Sequence, residues 1–290
     1  MTQIISALSD VSDRYDALFV DLWGCVHNGI KAIPSAVAAL QDYRAKGGAV
    51  VLVTNAPRSR HEVAKQLTKF EVPEDAYDDI ATSGDAARAA MFQGAVGSKV
   101  YFMGLDFDLT FFDPLQILDN PVEITRVPLQ EAEGIVCCGP FDPHADPEVN
   151  RPDFLYAKQK GLKLLCANPD IVVDRGERRE YCAGALAKLY TEMGGESLYF
   201  GKPHPAIYDL ARRRLAAHRA DVPDSAILAI GDGPHTDILG AMGEDFDSLF
   251  ITGGLARAET KTTQQPDPDA LSAYIEKERV APTFSMGTLG

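Results

Sequence analysis

The stretch FVDLWGCVHNG, residues 19–29, ends an apolar run on a carboxylate, Asp21. Gly24 and Gly29 follow, so the chain is predicted to turn directly after this acid. A carboxylate at such a strand end is a candidate nucleophile, although it can also cap a turn or the next helix. Two residues later stands Trp23, whose side chain cannot exchange a proton in this chemistry. The stretch therefore leaves open which groups would act beside Asp21.

Around this stretch, short apolar runs alternate with amphipathic segments. ALFVD (17–21) and AVVLVTN (49–55) are typical of buried strands, and a helix starting at Pro34 is predicted between them. Towards the far end, SLYFGKP, SAILAIGDG and DSLFITGG predict three more strands of the same sheet. Because these runs are continuously apolar, they indicate a parallel sheet covered on both faces, that is, a doubly wound α/β core.

The middle of the chain differs in composition from its flanks. Residues 84–179 are richer in Pro and Asp and contain their own apolar runs KVYFMG, GIVCCG and LKLLCAN. This is enough for a small α/β domain inserted into the core. We therefore predict a core of residues 1–83 and 180–290, with an inserted α/β cap domain of residues 84–179.

Composition limits the classes of partner and compartment. Against 28 basic residues stand 42 acidic ones, a net charge of −14, which argues against a nucleic-acid partner. An anionic substrate would then need local positive charge, most simply a metal ion. The cysteine number is odd and no CxxC pair occurs, so we expect reduced, buried thiols. With no apolar run of membrane-spanning length, a soluble cytoplasmic protein is predicted, without a membrane partner.

Four polar clusters stand just past apolar runs that are far apart in sequence. In a parallel sheet such strand ends meet at one edge, so these side chains are expected to converge. Carboxylates around one point repel each other unless a divalent cation binds them, and an all-oxygen set favours Mg²⁺. A lysine and a hydroxyl there could stabilise a phosphoryl group that a carboxylate attacks. The clusters contain Asp21, Thr54 with Asn55, Lys202, and Asp232 with Asp237.

These clusters form an ordered set of motifs. The chain resembles the haloacid dehalogenase superfamily of aspartate-nucleophile hydrolases, and within it the class IIA group of N-acetylglucosamine-phosphate and p-nitrophenyl-phosphate phosphatase-like proteins. The resemblance spans almost the whole chain, including CANPD and CAGALAKLY, which are similar to a signature of that group's C2-type caps. The four core motifs are DLWGCVHNG, VLVTNAPRS, GKPHPAIYDLA and GDGPHTDILGA.

The resemblance implies Mg²⁺-dependent hydrolysis of a small phosphorylated metabolite. Asp21 would be the nucleophile and a metal ligand, Thr54 would contact phosphate, and Lys202 would hold both Asp21 and phosphate. The remaining metal ligands would be the backbone carbonyl of Trp23, Asp232, and Asp237 as a ligand or an outer partner.

Substrate contacts are expected mainly from the cap, which would shield the site and select the substrate. Asn168 and Asp170 of the NPD sequence are candidates, although they could instead form a tight Asx turn. Asp106 in MGLDFDLTFF is a further candidate, and the LTFF run that follows it could pack inside the cap or form part of a homodimer surface. The full set of substrate-binding candidates is Asn55, Asn168, Asp170, His204 and Asp106.

Trp23 departs from the superfamily pattern, in which phosphatases carry a second aspartate as general acid–base. Three explanations are open: a substitute acid such as His27, His204 or His235; an acyl-phosphate substrate or phosphoryl transfer; or binding without turnover. Dehalogenases also lack that aspartate but work without magnesium, and GDGPHTD favours a metal site. We therefore expect a slow phosphatase, with a catalytically impaired ligand-binding protein as the alternative and a dehalogenase ranked lower.

Overall fold

The computed structural model describes residues 2–114, 120–175 and 178–290, with residues 174 and 175 described by their backbone alone. The chain divides into two compact units. The first comprises Met1–Thr54, Val63–Ala81 and Lys202–Gly290, and the second comprises Asn55–Glu62 and Thr82–Gly201.

Strands and helices alternate along most of the chain. The strands are β1 (Gln3–Ile4), β2 (Ala17–Val20), β3 (Ala49–Thr54), β4 (Asp79–Thr82), β5 (Lys99–Met103), β6 (Thr125–Arg126), β7 (Gly134–Cys137), β8 (Lys163–Cys166), β9 (Val172–Arg175), β10 (Arg178–Tyr181), β11 (Glu196–Tyr199), β12 (Ile227–Gly231), β13 (Asp247–Ile251) and β14 (Phe284–Met286). The helices are α1 (Pro34–Ala45), α2 (Arg60–Lys69), α3 (Ser83–Phe92), α4 (Arg151–Gln159), α5 (Ala183–Glu192), α6 (Pro205–Ala216), α7 (Leu239–Gly243) and α8 (Pro268–Glu278).

The first unit is built on a seven-stranded sheet in the order β1-β14-β13-β12-β2-β3-β4. The two strand pairings near the centre of this sheet, β12 with β2 and β2 with β3, are parallel. Every residue of β2, β3 and β12 is buried, because their alternate side chains enter cores on opposite faces. On one face, Phe19 and Val51 pack with Ile207 and Tyr208 of α6. The predicted α/β class with a doubly wound parallel sheet is confirmed.

The second unit has its own five-stranded sheet, in the order β11-β8-β7-β5-β6, with parallel pairings throughout. Helices cover both faces: α3 contributes Met91 to one core, while α4 and α5 contribute Phe154 and Tyr190 to the other. Phe111 of the LTFF run is buried beside Met91, so this run does pack inside the unit. The alternative, that it forms part of a homodimer surface, stays a prediction.

The inserted unit extends further than residues 84–179. SLYFGKP was expected to form a core strand, but its strand β11 pairs with β8, at Tyr199 opposite Cys166, in the second sheet. The chain returns to the first unit only at Lys202, and Asn55–Glu62 also belongs to the second unit. The error has a physical reason, since a short buried strand has the same apolar pattern in either sheet.

Two further expectations, on the cysteines and on membrane-spanning helices, can be examined in the described residues. All five cysteines are buried thiols, as predicted, and Cys137 and Cys138 enter different cores because adjacent strand residues face opposite ways. Within the described ranges, none of the helices has both the length and the apolar character needed to cross a bilayer.

Candidate active site

Three of the polar residues stand at the ends of adjacent strands in the first sheet. Asp21 directly follows β2, Thr54 is the last residue of β3, and Asp232 directly follows β12. Since the sheet order is β12-β2-β3, these ends lie side by side at one edge. The amide of Asp21 donates to the carbonyl of Ile230 at 2.8 Å, which continues the strand pairing up to the carboxylate. The predicted convergence of these strand ends is therefore present in the fold.

Lys202 enters the same edge from the segment that begins α6. Its Nζ lies 2.5 Å from Oδ1 of Asp21 and 2.6 Å from Oδ1 of Asp237, and its residue is only 3% exposed. Burial alone lowers the pKa of Lys202, but the charges and hydrogen bonds of Asp21 and Asp237 raise it well above its ordinary value. Lys202 is therefore a permanent cation shared by two buried carboxylates.

Asp237 is held from two sides. It lies in a single π-helical turn, Pro234–Ile238, and its Oδ2 accepts a hydrogen bond from the amide of Gly233 at 3.0 Å while Oδ1 faces Lys202. A side chain at Gly231 would come within 2.0 Å of its Cγ, so this glycine lets the carboxylate lie against the strand end. Asp237 therefore anchors Lys202, and its role as a metal ligand or an outer partner stays a prediction.

Asp232 is enclosed by backbone. Its Oδ2 accepts from the amide of Leu255 at 3.0 Å. A Cβ added to Gly24 would lie 2.2 Å from that oxygen, and one added to Gly254 would lie 2.0 Å from it. Gly24 also has φ +79°, a left-handed conformation that favours glycine. Two glycines, rather than side chains, therefore define the walls on this side of Asp232.

Three potential metal ligands, one of them Asp232, converge at this edge of the sheet. Asp21, Cys25 and Asp232 each offer one donor atom, and these three atoms all lie within 4.8 Å of one another. All three residues are buried. The sequence analysis treated Cys25 as one more structural thiol. Its position four residues after Asp21, within the turn that the glycines predict, was the signal that could have distinguished it.

The charges at this edge are unbalanced. Asp21, Asp232 and Asp237 contribute three carboxylates, against the single ammonium group of Lys202, so two negative charges remain when all are ionised. Burial raises the pKa of Asp232 well above its usual range, and the neighbouring charges of Asp21 and Asp237 raise it further. A divalent cation between Asp21 and Asp232 would neutralise the excess charge, and the donors present fit one.

The ring of Trp23, the residue predicted to stand in place of a second aspartate, is packed against its neighbours. Gly29 lies directly against the indole, so that an added Cβ would be 2.4 Å from Cζ2. The indole meets the ring of His27 edge-on at 5.4 Å, and His27 in turn meets Phe70 at 4.9 Å. The amide of Gly24 donates to the carbonyl of His27 at 2.9 Å and closes the turn. Trp23 is thus part of a structured aromatic cluster, and metal binding through its backbone carbonyl stays a prediction.

The three histidines considered as substitute acids differ in their surroundings. His27 is buried, which lowers its pKa to about 4, and its Nδ1 accepts from the amide of Gly29 at 3.0 Å. A neutral His27 with an occupied Nδ1 is poorly suited to protonate a leaving group. His235 pairs with Glu278 at 2.7 Å on the surface. His204 precedes α6, is half-buried, and has a pKa lowered by burial.

The substrate-binding candidates of the second unit meet each other in part. Nδ2 of Asn55 donates to Oδ1 of Asp170 at 2.8 Å. Oδ1 of Asn168 accepts from the amide of Asp170 at 3.0 Å, which is the Asx turn considered as the alternative for NPD. Asp106 is exposed at the start of a 3₁₀ helix, Asp106–Phe112. Substrate contact by these residues stays a prediction.

Two family models match this chain. Residues 18–115 match the family model of haloacid dehalogenase-like hydrolases, and residues 199–277 match a second, HAD-hydrolase-like model. A crystal structure of a haloacid dehalogenase-like hydrolase from Brucella suis 1330 is 38% identical, with a TM-score of 0.86, and the match covers 99% of this chain and 100% of that one.

Two more distant relatives have more specific names. The acid sugar phosphatase of Staphylococcus saprophyticus is 23% identical over 283 residues, which cover 95% of this chain and 96% of its own. The structure of a glycerol phosphate phosphatase from Mycobacterium tuberculosis in complex with magnesium is 22% identical, has a TM-score of 0.67, and matches over 96% of this chain and 77% of that one. The second likeness shows a shared fold.

The chain belongs to the haloacid dehalogenase-like hydrolases, in the class IIA branch that its motifs indicated.

Proposed function

We propose that this chain hydrolyses small phosphate monoesters in a reaction that depends on a divalent cation. The observation that carries the proposal is the buried ion pair of Lys202 with Asp21, beside Asp232, at the carboxyl ends of neighbouring parallel strands. A carboxylate held by a lysine ammonium group at such a sheet edge is suited to attack an electrophilic centre that carries negative charge. The names of the relatives support phosphate esters as substrates.

Each of three residues of the first unit would have its own role in the reaction. Asp21 would attack phosphorus, so that the phosphorus–oxygen bond to the alcohol breaks and an aspartyl-phosphate forms. Water would then hydrolyse this acyl-phosphate and restore the carboxylate. Lys202 would hold the attacking carboxylate in place and oppose the negative charge of the phosphoryl oxygens. Thr54, buried at the end of the next strand, would donate its hydroxyl to one of these oxygens.

The two carboxylates support Mg²⁺ as the cation. Asp21 and Asp232 supply hard oxygen ligands, for which Mg²⁺ is the physiological match, and a magnesium complex of the Mycobacterium tuberculosis relative supports this choice. When bound, the cation would neutralise phosphoryl charge and orient the ester. Asp237 would act through Lys202, which it contacts at 2.6 Å.

The basic test is release of inorganic phosphate from p-nitrophenyl phosphate and from short sugar and glycerol phosphates. We expect turnover with Mg²⁺ and none after chelation, with activity restored by added Mg²⁺. Phosphate release that persists unchanged in a chelator would contradict the metal requirement. Release of chloride from a 2-haloacid without metal would instead favour the dehalogenase alternative.

Replacing Trp23 by Asp tests whether the missing acid limits turnover. We expect kcat for a glycerol phosphate to rise about 100-fold, because a positioned proton donor contributes about 10²–10⁴-fold and the alkoxide is a poor leaving group. The rate for p-nitrophenyl phosphate should rise much less, since its leaving group needs no proton. Trp23→Asn is the matched control, because it removes the same ring without adding an acid. An equal gain in both variants would show that packing, not proton transfer, is limiting.

The same pair of variants separates the two classes of function. If the wild type releases no phosphate from any ester while Trp23→Asp does, the protein is a binding member of the family rather than a slow enzyme.

Replacing Gly254 by Ala tests the enclosure of Asp232. The new methyl carbon would lie 2.0 Å from Oδ2, so the carboxylate must move, and we expect Mg²⁺ affinity to fall by about 10- to 100-fold. Gly243→Ala is the matched control, because nothing lies within 4 Å of its added carbon. Isothermal titration of the metal-free protein measures both. Equal Mg²⁺ affinity in the two variants would mean that Asp232 is not a ligand.

A further inference from the structure

The candidate metal centre contains a donor that magnesium does not prefer. Cys25 is completely buried, and its sulfur belongs to the same group of donor atoms as one oxygen each of Asp21 and Asp232. No hydrogen bond to its sulfur occurs among the described residues, whereas Cys137 and Cys166 each donate to a backbone carbonyl, of Gly139 and Asn168. The thiol of Cys25 therefore faces the two carboxylates without another partner in the described structure.

Sulfur and oxygen donors select different cations. Carboxylates suit Mg²⁺, while a thiolate strongly favours soft or borderline ions such as Zn²⁺ and Cd²⁺. Two carboxylates and one thiolate give three protein ligands, the number that zinc commonly takes in sites that keep an open position. The excess negative charge around Asp21 and Asp232 attracts any divalent ion, so the sulfur determines which ion is held most tightly.

We propose that Cys25 makes this centre a mixed oxygen–sulfur site, at which Zn²⁺ or Cd²⁺ binds through the three residues and displaces Mg²⁺. Binding forms a metal–sulfur bond and releases the thiol proton to solvent, with no oxidation or reduction. The inference rests on the proposed function in one respect, since displacement of Mg²⁺ would then inhibit hydrolysis reversibly. Thiophilic cations thus act as regulators of the same site.

The first experiment follows the sulfur-to-cadmium charge-transfer absorption while Cd²⁺ is added to the full-length, metal-free protein. We expect a band that saturates at one equivalent, is lost in Cys25→Ser, and weakens when Mg²⁺ is added in excess. The affinity for Cd²⁺ should fall about tenfold or more in Cys25→Ser, because a coordinating atom is lost, while Mg²⁺ affinity stays nearly the same. An unchanged band in Cys25→Ser would overturn the proposal.

Cys182→Ser is the matched control. Cys182 is also a buried cysteine outside any disulfide, but it precedes α5 in the second unit, where serine is a favourable N-cap. We expect its band and its Cd²⁺ affinity to equal those of the wild type. Loss of the band in this variant instead would place the cation at a different thiol and overturn the proposal.

X-ray absorption of the wild type with one equivalent of Cd²⁺ provides a second measurement that needs no variant. One sulfur among oxygen neighbours is expected. An oxygen-only shell, or two sulfurs as from Cys137 and Cys166 on the paired strands β7 and β8, would overturn the assignment.

Turnover of p-nitrophenyl phosphate on the same preparations separates the two proposals. Sulfur-ligated Cd²⁺ in a protein that never hydrolyses the ester would leave this inference intact and remove the proposed function. Mg²⁺-dependent hydrolysis in a protein whose Cd²⁺ has only oxygen neighbours would do the reverse.

Discussion

Replacing Asp21 by Asn lowers kcat for p-nitrophenyl phosphate by about 10,000-fold or more, the scale on which a covalent nucleophile contributes. The amide is nearly the same size as the carboxylate but cannot form an acyl-phosphate. It also offers Lys202 a weaker acceptor in place of the contact at 2.5 Å. Single-turnover measurement with radiolabelled phosphate ester should show a covalently labelled wild type and an unlabelled variant.

The control for Asp21→Asn is the same chemical change at Asp221. That residue is exposed and has φ +57°, a conformation that asparagine also tolerates, so kcat and stability should stay unchanged. A measurable wild-type rate that survives in Asp21→Asn would exclude Asp21 as the nucleophile, and the mechanism with it.

Replacing Lys202 by Met has two large effects. Removing the ammonium leaves Asp21 and Asp237 buried without their shared cation, and the loss of one partner from a buried ion pair costs about 3–5 kcal/mol of unfolding free energy. We also expect kcat to fall by about 10²–10³-fold, because a charge aimed at the phosphoryl group is removed. Chemical denaturation and steady-state kinetics measure the two effects separately.

The loss of stability in Lys202→Met should depend on pH in a defined direction. In the wild type, Asp21 and Asp237 raise the pKa of Lys202 well above its ordinary value, so the ion pairs stabilise the fold fully at every pH below the pKa of an unfolded lysine, about 10.4. The stability difference from wild type should therefore keep its full size below that pH and shrink as the pH rises above it. A difference that stays constant above that pH as well would show that lost packing, not lost charge, causes it.

Lys188→Met is the matched control for the change of lysine to methionine. Its ammonium lies on an exposed helix face, 3.9 Å from Glu192, and exposed pairs contribute about 0–1 kcal/mol. If both variants lose equal stability, the buried position of Lys202 has no special electrostatic role.

Much of the first sheet could be predicted because a buried strand has a characteristic amino-acid composition. The runs around β2, β3 and β12 are apolar at every position, and each ends at a polar residue: Asp21, Thr54 or Asp232. A strand buried on both faces needs such a run, and the first polar side chain can stand only where the strand leaves the core. Local composition therefore predicted both the strand type and the edge at which the candidate site lies.

The partners of individual side chains could not be obtained in this way. Asp237 contacts Lys202, and Asn55 contacts Asp170, across 35 and 115 residues of sequence respectively. Cys25 was assigned to the ordinary buried thiols because its type and its apolar neighbours fit that class. The thiol lies beside two carboxylates only because the chain turns at Gly24. This glycine has φ +79° and lies directly against Asp232.

What the sequence by itself determined is the alternation of buried strands and helices, the family, and the residue types gathered at the strand ends. What only the tertiary structure decided is the sheet that each strand joins and the atoms that meet: β11 in the second sheet, Asp237 on Lys202, and a thiol beside two carboxylates. The physical reason is that burial and strand propensity are properties of a short segment, whereas a strand's neighbour and a charge's partner are set by contacts between segments far apart in the chain.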